Sequence, residues 1–369
     1  MGVSGVKTLM IAGGGTGGHI YPAIAIAREY VARDQSRRVV FVGTQRGLEK
    51  TIVPKAGFPI EFISVGGLKG KGGLDLLRNI SQLPVGLAQA SRIVAKHQPN
   101  AVLGVGGYAS GPVLLAAVLR GIPTIIHEQN AFPGLTNRLL ARFVKKVAVA
   151  FPDVLARLNR PDGVVTGNPV RAEFFAVQPG TEDRGPRTRQ RLLIFGGSQG
   201  SRVLNEAMIG ALLFLSRLKD RIDIVHQTGA NELQKVQQAY RTSGAFPNAR
   251  VVAYLDPIVD EIAAADLIVC RAGAMTIGEL AAVGRAAIFV PFAAAANNHQ
   301  EVNARVVEQA GGGIVITEKE LTPERLSSAI TEIITNRDRT RRMGDAARKL
   351  AAPDATKKIV DSIETIQRN

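Results

Sequence analysis

The chain has 369 residues, 46% of them hydrophobic, with a formal charge of +15 and one cysteine, Cys270. That length suits two α/β domains of roughly 150–200 residues each, and the lone cysteine excludes a disulfide framework or a multi-cysteine metal site. The charge attracts phosphorylated ligands or an anionic membrane, whereas dispersed basic residues and 5% aromatics argue against nucleic acid.

The first segment reads strand, Gly-rich turn, helix: Thr8 to Ala12, then Gly13 to His19, then helical spacing over Pro22 to Ala32. Further strands are expected at Arg38 to Gly43, Ala101 to Val105, Thr124 to His127 and Lys146 to Ala150. Intervening helical stretches make this a parallel sheet covered on both faces. The pattern restarts at Arg191 to Phe195, followed by Gly196 to Ser201 and a helix from about Arg202. Strands are then expected at Ile222 to His226, Arg250 to Ala253, Leu267 to Cys270 and Ala287 to Pro291. Two Rossmann-like domains follow, 1–168 and 169–349, with a Gly- and Pro-rich surface loop from Gln178 to Arg191 just after the junction. The tail, about 350–369, carries Ile359, Val360, Ile363 and Ile366 at helical spacing and can pack back on the first domain. No secretory leader and no run of about 18 apolar residues is legible, so neither export nor a spanning helix is expected.

Three Gly-rich loops each follow an apolar run and precede a helix: Gly13 to His19, Gly106 to Gly111, and Gly196 to Ser201. Glycine lets backbone approach a ligand closely, and a helix N-terminus offers free N–H groups to phosphate. One such loop is an ordinary tight turn as often as a ligand site; three together favour phosphate binding. Gly13-x-Gly15-x-x-Gly18 also matches the dinucleotide fingerprint, but the second strand ends Phe41-Val42-Gly43-Thr44 without the ribose-binding acid, and Asp34 lies before that strand. No loop ends in Gly-Lys-Ser/Thr, which excludes a kinase-type P-loop.

Seven segments appear in register along the chain: Gly13 to His19, Gly106 to Pro112, His127-Glu128-Gln129-Asn130, Gly167-Asn168-Pro169-Val170-Arg171, Gly196 to Gly200, Arg271-Ala272-Gly273-Ala274-Met275-Thr276 with Glu279, and Asn298-His299-Gln300. Together they resemble the MurG family of N-acetylglucosaminyltransferases over nearly the whole chain. The resemblance implies a GT-B fold, two Rossmann-like domains facing across a cleft. It implies inverting transfer of GlcNAc from UDP-GlcNAc to the 4-hydroxyl of polyprenyl-diphospho-MurNAc-pentapeptide, peripherally at the cytoplasmic face of the bacterial membrane. A related transferase acting on another lipid, such as diacylglycerol, is the alternative. No cofactor is expected; the sequence neither requires nor excludes a divalent cation, and no metal ligands are assigned.

Carried over residue by residue, the resemblance makes Glu279 the carboxylate that holds the ribose hydroxyls. Leu255 is the backbone contact to uracil, and Ala274, Met275 and Thr276 line nucleotide and diphosphate. Ser198 and Arg171 match diphosphate contacts, Ser198 at a helix start and Arg171 at the domain junction, where a guanidinium can stabilise the departing UDP. Gln300 reads sugar hydroxyls beside His299, and Asn130 contacts the donor sugar. Thr16, Gly17 and Gly18 face the diphosphates, and Gly15, Gly107, Tyr108 and Ser110 belong to the acceptor and diphosphate loops. Asn297 departs from the pattern, standing where many relatives carry an acid. For the base, His19 at a helix N-terminus, where the dipole favours neutral imidazole, competes with Glu128. A membrane patch is expected at Lys69, Lys71, Leu74, Leu77, Arg78 and Ile80, a basic loop followed by apolar residues at helical spacing.

Overall fold

The computed structural model describes residues 6–66, 83–177 and 189–368. Two compact units emerge: Met1–Arg171 together with Ala352–Asn369, and Ala172–Ala351. The chain thus leaves the first unit three residues beyond the expected junction, and its tail rejoins that unit.

The first unit is built on a seven-stranded parallel sheet in the order β3-β2-β1-β4-β5-β6-β7. The strands are β1 (Thr8–Ala12), β2 (Arg38–Gly43), β3 (Ile60–Phe62), β4 (Ala101–Gly104), β5 (Thr124–Glu128), β6 (Lys146–Val149) and β7 (Val164–Val165). The inner strands are unbroken apolar runs because both faces are covered: Leu9, Met10, Ile11 and Ala12 are all fully buried. The tail helix Ala355–Arg368 lays Ile359, Val360, Ile363 and Ile366 into the core formed by Leu9, Ile11, Ile26 and Tyr30. Its polar edge is tied by Arg33 to Asp361 (2.6 Å) and by Arg37 to Glu364 (2.7 Å).

The second unit carries a six-stranded parallel sheet in the order β10-β9-β8-β11-β12-β13. Its strands are β8 (Gln190–Phe195), β9 (Ile222–Gln227), β10 (Arg250–Val252), β11 (Leu267–Cys270), β12 (Ala286–Phe289) and β13 (Gly313–Val315). Its core is continuous from Leu192 and Ile194 through the helix Arg202–Leu215 to Leu326 and Ile330 of the helix Pro323–Ile334.

Three strands had no sequence signal: β3, β7 and β13. Each is two or three residues long and lies at a sheet edge, where short strands suffice and periodicity has no room to show. The expected strand at Ala287 to Pro291 instead ends at Phe289, two residues before a proline that cannot donate to the ladder. In both sheets the strand order reverses beside the first strand, between β1 and β4 and between β8 and β11. Loops leaving the carboxyl ends there frame a crevice, the usual ligand position in open α/β sheets. All three Gly-rich loops leave from these four strands.

Candidate active site

In the first unit, the loops after β1 and β4 touch backbone to backbone. A Cβ on Gly107 (φ +81°) would stand 2.5 Å from the Gly14 carbonyl oxygen, and one on Gly13 would stand 2.8 Å from that of Gly106. Only glycine permits this contact. The loop after β1 is also braced by Glu49, which is 1% exposed. One carboxylate oxygen accepts from the Gly15 amide (2.8 Å); the other accepts from the Thr44 amide and hydroxyl (both 2.9 Å). Glu49 lies outside the motifs singled out in the sequence. Gly43 and Gly47 make room for it, since a Cβ at either would strike its side chain.

The helix Gly17–Ala32 starts directly from this loop. Thr16 occupies its N-cap, makes no capping bond through its side chain and is exposed. Gly17 and Gly18, half-buried, form the first turn. Beside them His19 donates from Nδ1 to the Gly14 carbonyl (3.2 Å), since a carbonyl can only accept. With Nδ1 donating, a neutral ring would carry its lone pair on Nε2, which faces Gly106 at 3.0 Å from its ideal Cβ position. The Arg171 guanidinium lies over the Tyr21 ring at 5.4 Å, and that ring flanks Gly17. Tyr108 projects into solvent at 53% exposure.

Ser110 and Glu128 are both tied into the fold of this unit. Ser110 is fully buried, and its hydroxyl reaches the Ala12 and Gly106 carbonyls (2.7 and 2.8 Å), fastening the loops after β1 and β4 to each other. Glu128 is 2% exposed and already accepts four hydrogen bonds. Oε1 takes the Asn130 amide and side chain (3.0 and 3.2 Å); Oε2 takes the Gly134 amide and Asn137 Nδ2 (3.0 and 2.8 Å). These bonds organise the 128–137 loop around Glu128. Its neighbour His127 is fully buried and donates to the Gly167 carbonyl (3.1 Å). Desolvation pushes it down to about 4, so it stays neutral.

In the second unit, the loop Gly196 to Ser201 interlocks with residues 228–229. A Cβ on Gly200 (φ +74°) would lie 1.9 Å from the Thr228 carbonyl oxygen, and one on Gly229 (φ +83°) would lie 2.2 Å from that of Gln199. Neutral amides hold the two together. Gln227 donates to the Gly197 and Ala253 carbonyls (3.0 and 3.1 Å), and Asn205 donates to the Thr228 carbonyl (3.0 Å). Behind them His226 joins Tyr240 to Asn205 (3.2 and 3.0 Å). Burial pushes His226 down to about 3 and raises the Tyr240 phenol, so neither is charged. The N-cap of the helix Arg202–Leu215 is Ser201, whose hydroxyl accepts from Leu204 (3.3 Å). Ser198 was expected at that helix start; it lies instead on the exposed turn three residues earlier, away from the cap.

The helix Ala274–Val283 begins at Gly273 with no side-chain cap and no acid in its first turn. Ala274, Met275 and Thr276 are half-buried around this bare end, and Glu279 follows one turn along the face of Met275 and Thr276. Gln300 accepts through its side-chain oxygen from Ala272 (3.3 Å) and Phe292 (3.0 Å), joining the loops after β11 and β12 and leaving its NH2 as the donating end. His299 donates to the Ala296 carbonyl (2.8 Å), and Leu255 is 7% exposed, which suits a contact through its backbone. Arg271 pairs with Glu318 (2.6 Å) and braces the Val290 and Pro291 carbonyls. Cys270 is buried, which raises its thiol and makes it unreactive. Among the described residues no group of three or more His, Cys, Asp or Glu could hold a metal ion. The expected membrane residues Lys69, Lys71, Leu74, Leu77, Arg78 and Ile80 lie outside the described residues.

Two family profiles match: the glycosyltransferase family 28 N-terminal domain over residues 9–149 and the family 28 C-terminal domain over residues 191–359. A relative from Anaeromyxobacter sp. (strain Fw109-5) is 48% identical, covering 96% of this chain and 92% of its own. One from Syntrophotalea carbinolica is 46% identical, covering 95% and 97%. Both are named UDP-N-acetylglucosamine–N-acetylmuramyl-(pentapeptide) pyrophosphoryl-undecaprenol N-acetylglucosamine transferase. The crystal structure of Acinetobacter baumannii MurG superposes with a TM-score of 0.82 at 32% identity, covering 97% of this chain and 99% of that one.

Proposed function

The chain belongs to glycosyltransferase family 28, and from that membership we infer that it transfers GlcNAc from UDP-GlcNAc to lipid-linked MurNAc-pentapeptide in peptidoglycan synthesis. The observation that carries this reading is near-full-length identity, across both units, with relatives named for that reaction. A transferase for diacylglycerol is not favoured, because the match covers the first unit as well as the second.

In the inverting reaction the MurNAc 4-hydroxyl attacks the anomeric carbon. The bond from that carbon to the UDP oxygen breaks, the electron pair leaves with UDP, and the hydroxyl proton passes to a base. His19 is that base in our reading: its Nδ1–H is committed to Gly14, so that in the neutral ring the accepting lone pair is on Nε2. The four donors around Glu128 support the same choice. Glu279 holds the ribose, the bare end of the helix Ala274–Val283 receives diphosphate charge, and the NH2 of Gln300 donates to a sugar hydroxyl. Arg171 stabilises the departing diphosphate.

The enzyme works as a peripheral protein at the cytoplasmic membrane surface, since its acceptor is anchored there. No described helix is long and apolar enough to cross a membrane. Leu135, Leu139 and Phe143 are exposed at four-residue spacing, with exposed Arg138 and Arg142 between them, apolar residues and cations suited to anionic headgroups. Leu139→Glu with Phe143→Glu should reduce sedimentation with anionic liposomes while turnover on a short-chain soluble acceptor persists; unchanged sedimentation would remove this surface from the reading.

The deciding experiment is transfer of labelled sugar from UDP-GlcNAc to short-chain lipid-linked MurNAc-pentapeptide, with diacylglycerol and UDP-glucose as controls. Labelling of the MurNAc acceptor alone is expected. Labelling of diacylglycerol alone would overturn the cell-wall reading and keep the donor half.

A further inference from the structure

Glu49 and His19 grip the same peptide unit from opposite sides. The Gly15 amide, which donates to Glu49 at 2.8 Å, and the Gly14 carbonyl, which accepts from His19 Nδ1 at 3.2 Å, belong to one peptide plane. In a trans peptide those two groups point in opposite directions, so the carboxylate and the imidazole are joined through a single rigid amide. We propose that Glu49 is a positioning residue for His19, acting through the Gly14–Gly15 peptide as an aspartate acts directly on histidine in a hydrolase triad. This rests on the reading of His19 as the base.

The physics follows from the order of the bonds. A carboxylate accepting from an amide N–H polarises that amide, and its carbonyl becomes a stronger acceptor. The stronger carbonyl holds the Nδ1–H tautomer and keeps the lone pair on Nε2, where a hydroxyl proton can be received. The ring is also held in azimuth, because the peptide plane cannot turn. Gly107 presses on the same peptide from the other loop, and the second Glu49 oxygen is anchored by both donors of Thr44.

The local sequence is shaped around this carboxylate. A Cβ on Gly14, Gly43 or Gly47 would come within 2.3, 2.5 or 1.9 Å of Glu49 side-chain atoms. Three glycines from two separate segments therefore make room for one acid. Glu49 opens the helix Glu49–Lys55, where a negative charge near the N-terminus is favoured. A group that only filled space there would need neither the charge nor three clearances.

Glu49→Gln has nearly the same shape but replaces one acceptor oxygen with a donor. In the wild-type background it should lower kcat by about tenfold or more, the scale of a displaced catalytic group, while the KM for UDP-GlcNAc stays within about twofold of normal. In a His19→Gln background the same change should cost less than about twofold, because residues acting as a unit are not additive. A merely structural brace would cost the same in both backgrounds, and that additive result overturns the proposal. Normal kcat for Glu49→Gln overturns it equally. Near-normal turnover by His19→Gln alone would instead sink the reading of His19 as base, so the two failures are distinguishable. Should Glu49→Gln fail to fold, imidazole 15N shifts of the wild-type enzyme, with the His19 signal identified by its loss in His19→Gln, report the tautomer directly. A proton on Nδ1 is expected; a proton on Nε2 overturns the proposal.

Discussion

The loop after β1 and the loop after β8 have the same sequence style and the same station at a sheet's switch point, yet they are braced by different chemistry. The first is held by an ionisable side chain, Glu49, and leads into a helix whose N-cap makes no side-chain bond. The second is held by the neutral amides of Gln227 and Asn205 and leads into a helix capped by Ser201. A neutral brace fixes backbone without adding charge near a bound diphosphate. The carboxylate brace stands in the unit that carries His19. The same architecture is thus held by a charged group in one unit and by neutral amides in the other.

The sharpest break of that contrast would be a mutation in one unit that damages the other's task. His19→Gln should lower kcat by about 10²–10⁴ and leave calorimetric UDP affinity within about twofold; a parallel loss of UDP affinity would mean that the first unit also binds nucleotide. Glu279→Gln is the counterpart. Replacing one acceptor oxygen of a charged group that grips the ribose costs about 1.5–3 kcal/mol, so donor KM should rise roughly 10–100-fold with kcat at saturation little changed. A fall in kcat without loss of UDP affinity would contradict the donor role.

How much of this was legible in the sequence follows the same division. The glycines of all three loops could be found because they lie in short contiguous motifs, and His19 and Glu279 were singled out for the same reason. The inner strands were legible as apolar runs. Glu49, Gln227 and Asn205 were not, because their partners lie in other segments: Glu49 reaches Gly15 34 positions away and Gln227 reaches Gly197 30 positions away. An isolated acid or amide has the same appearance whether it is solvated or folded under a loop. Ser110 and Glu128 show the opposite case, since both lie inside recognisable motifs and yet spend hydrogen bonds on the protein itself.

Acid stability probes both units at once. His127 titrates at about 4 and His226 at about 3 when folded, against about 6.5 in the unfolded chain. Between 6.5 and those values only the unfolded chain binds the proton, so stability falls as pH falls through the window. Each histidine contributes up to about 1.4 kcal/mol per pH unit, and above 6.5 neither contributes any slope. Urea unfolding at several pH values should show this decline, with a flatter profile for His226→Gln. An unchanged slope would mean that His226 is hydrated in the folded protein.

The smallest expected effect separates two serines three residues apart. Ser201 accepts from the Leu204 amide and caps the helix, so Ser201→Ala should cost about 1 kcal/mol of stability, read as a lower denaturation midpoint for the second unit. Ser198 caps nothing and is exposed on the turn, so Ser198→Ala should leave the midpoint within about 0.5 kcal/mol and raise the donor KM instead. Sequence position alone assigns both serines to the same Gly-rich loop. If Ser198→Ala destabilised the fold and Ser201→Ala altered only donor binding, the neutral bracing of this loop would be misassigned, and with it the contrast to the carboxylate-braced loop of the first unit.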